Sequence, residues 1–69
     1  MIDWTLFTTE DFEALVLAYI KLQNPVYANR DRAIILEIRD VDIIFGIPGV
    51  TGVMRLSKSS LEYLIPGLV

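Results

Sequence analysis

RAIILEIRDVDIIFGI, residues 32–47, is the stretch that decides the fold. Its β-branched content and its alternation predict strands, because branched side chains pack well on a pleated, half-buried surface. Ile34, Leu36 and Ile38 share one parity, and Val41, Ile43 and Phe45 share the other. The parity flips at Arg39-Asp40. Such a flip means either a tight turn, giving a hairpin, or a β-bulge within one long strand. Arg-Asp is a poor two-residue turn beside Asn-Gly. The balance favours a bulge, or a wider turn spanning Arg39 to Asp42.

Downstream, Gly46-Ile47-Pro48-Gly49 is a strong turn signal. Val50 to Leu56 then reads as a further strand, weakened by Gly52. Ser57 or Ser59 can cap a short helix running to about Ile65, and Ser59 with Glu62 has capping-box spacing. Pro66-Gly67 ends it. Upstream, residues 24–32 (NPVYANRDR) read as a loop, polar and carrying a proline and two asparagines.

Before that loop lies a helix over Glu10–Gln23. Thr8 and Thr9 are good N-cap residues. Glu10, Asp11 and Glu13 fill the first turn, where the helix dipole favours negative charge, and Lys21 has the matching sign near the other end. Asn24-Pro25 stops the helix, since the residue before proline avoids helical angles. Phe12, Leu15, Tyr19 and Leu22 form a stripe at helical spacing, widened by Val16 and Ile20. Ala14, Leu17 and Ala18 fall on the flank or far side. The fold class is therefore α+β: an N-terminal amphipathic helix on a small antiparallel sheet of two to three strands, then a short C-terminal helix, in one domain over residues 1–69.

Composition narrows the chemistry. The 69 residues contain no Cys and no His, 54% of them are hydrophobic, and the net charge is −3. There is no thiolate or imidazole to serve as nucleophile, base or metal ligand. High apolar content and low net charge exclude an unfolded tail. The longest unbroken apolar run is seven residues, Ala14–Ile20, where a membrane-crossing helix needs about 20. The start, MIDWTLFTTEDF, is acidic where a secretory signal would be basic, so a cytoplasmic location is expected. No cofactor is implied.

The same composition points to a partner. Nine Ile, nine Leu and six Val occupy 69 positions, and a domain of this size buries only about 60% of its unfolded surface. One small core has difficulty covering that much apolar area, and self-association or a face held for another protein resolves the surplus. The expected contact residues are Trp4 and Phe7 before the helix cap, Ala14, Leu17 and Ala18 on the helix flank, and Leu64 and Leu68 in the tail. Trp4, Leu6 and Phe7 have a second reading, in which some fold back on the helix as a hydrophobic staple.

Other constellations weigh less. Asp40 and Asp42 are two apart, as a cation-binding carboxylate pair on a strand would be, yet no third ligand is fixed by spacing and a solvent-face role is the better reading. The glycines of FGIPGVTGVM have the wrong spacing for a phosphate loop and read as hairpin turns. Ser57-Lys58 reads as a helix start rather than a catalytic dyad. Arg30, Arg32, Arg39, Arg55 and Lys58 are five of six cations and form an alternative, nucleic-acid-binding reading, with Tyr27 and Tyr63 to stack on bases. Five acids in the same region and an overall acidic charge argue against it, and Glu37, Asp40 and Asp42 are better placed to pair with those arginines.

The favoured expectation is a non-enzymatic protein-interaction module: a homodimer or higher oligomer that also binds another protein, as a small inhibitor, regulator or assembly factor of the viral or mobile-element kind does. The alternative is the nucleic-acid-binding regulator.

Overall fold

A computed structural model describes residues 2–64. Helix α1 runs Thr9–Gln23, strands β1, β2 and β3 run Ile34–Ile38, Asp42–Gly46 and Met54–Ser57, and helix α2 runs Lys58–Leu61. Short 3-10 turns at Trp4–Leu6 and Pro25–Tyr27 precede and follow α1. The sheet is antiparallel in the order β1-β2-β3, so β1 and β3 are the outer strands. This is the α+β arrangement expected from the sequence.

Helix α1 starts where its cap dictates. The Thr8 hydroxyl accepts from the Asp11 N–H at 3.1 Å, and the Asp11 carboxylate accepts from the Thr8 N–H at 2.9 Å. This reciprocal box satisfies two orphan donors of the first turn, with Asp in the place more often held by Glu. At the other end Asn24 is extended, as a residue before proline must be, and its N–H closes the last turn on the Ile20 carbonyl.

Phe12, Leu15, Val16 and Ile20 of α1 are buried against Ile43, Phe45 and Ile47, with Ala33 and Leu61 completing the core. The expected stripe holds in its first three turns only. Leu22 is 69% exposed and Tyr19 half-buried.

The hairpin settles the parity question. Ile38 pairs with Ile43, and the Arg39 N–H donates to the Asp42 carbonyl at 2.8 Å, so the chain reverses through Asp40-Val41. A bulge is also present, but three residues earlier. Ile35 pairs with Phe45 and Glu37 with Ile44, leaving Leu36 as the extra residue of β1. One long bulged strand is therefore not formed. Directly opposed residues of an antiparallel pair share a face. Ile35 and Ile38 thus lie on the core face with Phe45 and Ile43, and Ile34 and Glu37 lie on the other face with Gly46 and Ile44.

The second connection begins with a type II turn. The Val50 N–H donates to the Ile47 carbonyl at 2.9 Å, Pro48 fills the second position, and Gly49 has φ +89° in the third. The strand expected from Val50 begins only at Met54, because Gly52 also takes φ +89° and keeps residues 50–53 out of the ladder. Ser57, not Ser59, caps α2, and its hydroxyl accepts from the Ser59 N–H at 3.3 Å. The helix expected to reach about Ile65 instead ends at Leu61, and residues 62–64 form a turn in which the Leu64 N–H donates to the Leu61 carbonyl at 3.0 Å; Pro66-Gly67, expected to end the helix, lies outside the described residues.

Candidate functional site

The lead-in to α1 folds back on its own chain. Phe7 precedes the cap and Phe12 lies four positions inside the helix, which is the staple spacing. Their ring centroids are 5.7 Å apart, and Trp4 lies 5.2 Å from Phe7 and 5.8 Å from Phe12, nearly parallel to the latter. The Lys58 ammonium caps the Phe12 ring at 5.8 Å, a cation on the negative face of the π system. Trp4 and Phe7 are half-buried in this cluster.

The flank of α1 forms one wall of an open groove of about 260 Å³, in which Glu10, Glu13, Ala14 and Leu17 face Asp31, Arg32 and Ala33. Ala14 and Ala18 are exposed and Leu17 is half-buried. The Glu13 carboxylate crosses the groove and accepts the Ile35 N–H at 3.3 Å, tying α1 to the outer side of β1. Leu64 is half-buried, and Leu68 lies outside the described residues.

The most exposed apolar row lies elsewhere, along β1 and its turn. Ile34, Leu36, Ile38 and Val41 are between 37% and 69% exposed. The contact residues expected from the sequence omit all four, although a signal was present. Ile34, Ile35, Leu36 and Ile38 place aliphatics at both parities, and a strand that is apolar on both faces is one expected to be covered on both. Nine large apolar side chains are exposed among the described residues, and four of them follow one another along this edge, Ile38 on the core face and Ile34 on the opposite one.

Charge on the non-core face of the sheet is internally balanced. Arg39 Nε donates to Glu37 Oε2 at 2.6 Å and lies 3.9 Å from Asp42 Oδ1, while Arg55 Nε lies 3.9 Å from Asp42 Oδ2. The hydrogen bond and charge of Glu37 hold the Arg39 guanidinium above its ordinary pKa. The Asp42 side chain is 15% exposed, and its Oδ1 is buried without a hydrogen bond. Asp42 thus takes the cross-strand role expected of it, toward Arg55 of β3, whereas Glu37 pairs with Arg39 two residues along its own segment rather than across strands. Asp40 sits exposed in the turn rather than beside Asp42 on a strand. Among the described residues no group of three or more carboxylates is placed to hold a metal ion.

The five cations of the alternative reading do not converge. Arg39 and Arg55 flank Asp42, Arg30 donates to the Pro48 carbonyl at 3.4 Å at the opposite end of β2, Arg32 lines the groove, and Lys58 covers Phe12. Among the described residues no helix is long and apolar enough to cross a membrane. The chain matches no family model, no curated protein and no solved structure.

Proposed function

We propose that this chain is a non-enzymatic protein-interaction module that self-associates and, as an oligomer, binds another protein as an inhibitor, regulator or assembly factor. The observation that carries the reading is the row Ile34, Leu36, Ile38 and Val41, exposed together along an outer strand. An uncovered, apolar edge strand is a template for another chain, and monomeric proteins usually blunt such edges with lysine, proline or a covering element. Here two blunting devices are present, the Glu13 carboxylate on the Ile35 N–H and the bulge at Leu36, and both lie toward the N-terminal end of the strand. The nucleic-acid reading gains nothing comparable, since two of its five cations are engaged with Asp42 on the sheet.

Leu36→Lys is the direct test. Leu36 is 56% exposed and is the extra residue of the bulge, so a lysine there leaves the core intact while placing a charge on the edge. The expected result is an unchanged circular dichroism spectrum with weakened self-association. Unaltered association in this variant would remove the edge from the reading.

A further inference from the structure

We propose that β1 pairs antiparallel with β1 of a second copy about a two-fold axis at Ile38, joining two three-stranded sheets into one of six strands. This rests on the reading of the chain as a self-associating module and names the surface it uses. Three observations select the register.

The first is the backbone. The Arg39 N–H donates inward to Asp42. In an antiparallel ladder the inward and outward groups alternate, so Ile38 next to it points its N–H and C=O away from β2. Toward the N-terminal end the outward N–H of Ile35 is already taken by Glu13. The open length of the edge is therefore Leu36 to the turn, with Ile38 as its free donor and acceptor.

The second is the side chain of Ile38. It shares the core face with Ile43, which is fully buried, yet Ile38 itself remains 41% exposed at the rim of the sheet. A two-fold axis at this residue sets Ile38 against the second copy's Ile38 and continues the core across the junction. The same register brings Leu36 against the second copy's Asp40-Val41 turn, where Val41 is 69% exposed.

The third is charge. With the axis at Ile38, Glu37 lies opposite the second copy's Arg39, and Arg39 opposite the second copy's Glu37. Within one chain these two side chains already form an ion pair at 2.6 Å, so pairing produces an alternating square of two acids and two bases on the non-core face. Moving the axis to Glu37 would set two carboxylates directly opposite each other, which is unfavourable. Moving it further toward Ile35 meets the Glu13 carboxylate.

The chain has no cysteine, so a single introduced thiol reports one contact. In Ile38→Cys the two Cα atoms would sit about 5.5 Å apart across the axis, inside the range a disulfide spans. Under a glutathione redox buffer the expected main product is a covalent dimer. Val53→Cys, exposed and outside β1, is expected to remain uncross-linked. Glu37→Lys is expected to weaken association about tenfold by sedimentation equilibrium, and Glu37→Gln to weaken it less, because it removes the attraction to the second copy's Arg39 without setting two cations opposite each other. Wild-type dimers in which Ile38→Cys does not cross-link overturn the strand pairing and leave self-association standing. Association as strong in Glu37→Lys as in the unmodified chain overturns the register. A wild-type chain that stays monomeric overturns both the pairing and the reading on which it rests.

Discussion

Phe12→Ala is expected to remove about a third or more of the stability of the folded chain. The ring is 2% exposed and is touched by Trp4, Phe7 and the Lys58 ammonium. Truncating a buried Phe costs roughly 3–5 kcal/mol, counting both the lost transfer energy and the cavity left behind. Two aromatic pairs of about 0.5–1.5 kcal/mol each are lost with it. Trp4 and Phe7 are only half-buried and can move into the space, which places the expected loss near the lower end, about 3–4 kcal/mol. Folded domains hold roughly 0.05–0.15 kcal/mol per residue, so a chain of this size holds about 3–10 kcal/mol in all. The assay is urea denaturation at fixed protein concentration, because any self-association adds to apparent stability. Trp4 is the single tryptophan and lies against the mutated ring, so its fluorescence reports the lead-in while far-UV circular dichroism reports the whole fold. Phe12→Leu, which keeps much of the volume, is expected to lose less than about 2 kcal/mol. A loss below about 1.5 kcal/mol in Phe12→Ala by both probes would refute the placement of this ring at the junction of α1, the lead-in and α2.

Three further outcomes follow from individual contacts. Thr8→Ala removes the hydroxyl half of the capping box and is expected to cost about 0.5–2 kcal/mol in the same urea assay. Gly49→Ala forces a side chain into a residue at φ +89°. Its Cβ would also meet Arg30 Nη1 at 2.9 Å. The arginine tip can swing aside, so the backbone conformation dominates and the expected loss is about 1 kcal/mol, read as a fall in Tm. The Asp3 carboxylate is held below its ordinary pKa of 3.8 by the Thr5 hydroxyl and then the Thr5 N–H. A depressed acid contributes stability that is complete above the unfolded value and is lost as pH falls through the folded one. The local order around Trp4 should therefore persist at pH 5 and loosen in acid below 3.8, while Asp3→Asn should start looser and lose less over the same titration by Trp4 fluorescence.

Much of the fold was legible because several local signals agreed. The acids of the first turn, the threonines before them and Asn24-Pro25 all delimit one helix, and the structure differs by a single residue at its start. Gly46-Ile47-Pro48-Gly49 was readable as a turn because proline presets one angle and glycine tolerates the next, and the observed turn, Ile47 to Val50, lies one residue later. The bulge was not legible at its true place. An extra residue in a ladder carries no composition signal, and in a run of aliphatics such as Ile34-Ile35-Leu36 any of several positions could be the extra one. The position of β3 was misread for a related reason, since Val50 and Val53 favour strand locally and only the glycine between them keeps them out.

The apolar surplus was legible as a quantity but not as a place. Counting Ile, Leu and Val shows that a small core cannot cover them all. The helix flank drew attention because periodicity defines inside and outside on a helix. In β1 the bulge scrambles that assignment, so exposed Leu36 and Ile38 resembled core residues until the pairing with β2 was known. Leu22 likewise carries the right spacing for burial yet stays 69% exposed in the last turn of α1.

Sedimentation equilibrium of the unmodified chain across the micromolar range tests the central claim most directly. A self-associating module gives a mass that rises from 7.8 kDa toward at least twice that value as concentration increases. A well-folded species that stays at 7.8 kDa throughout would contradict it, and the row along β1 would then be simply exposed.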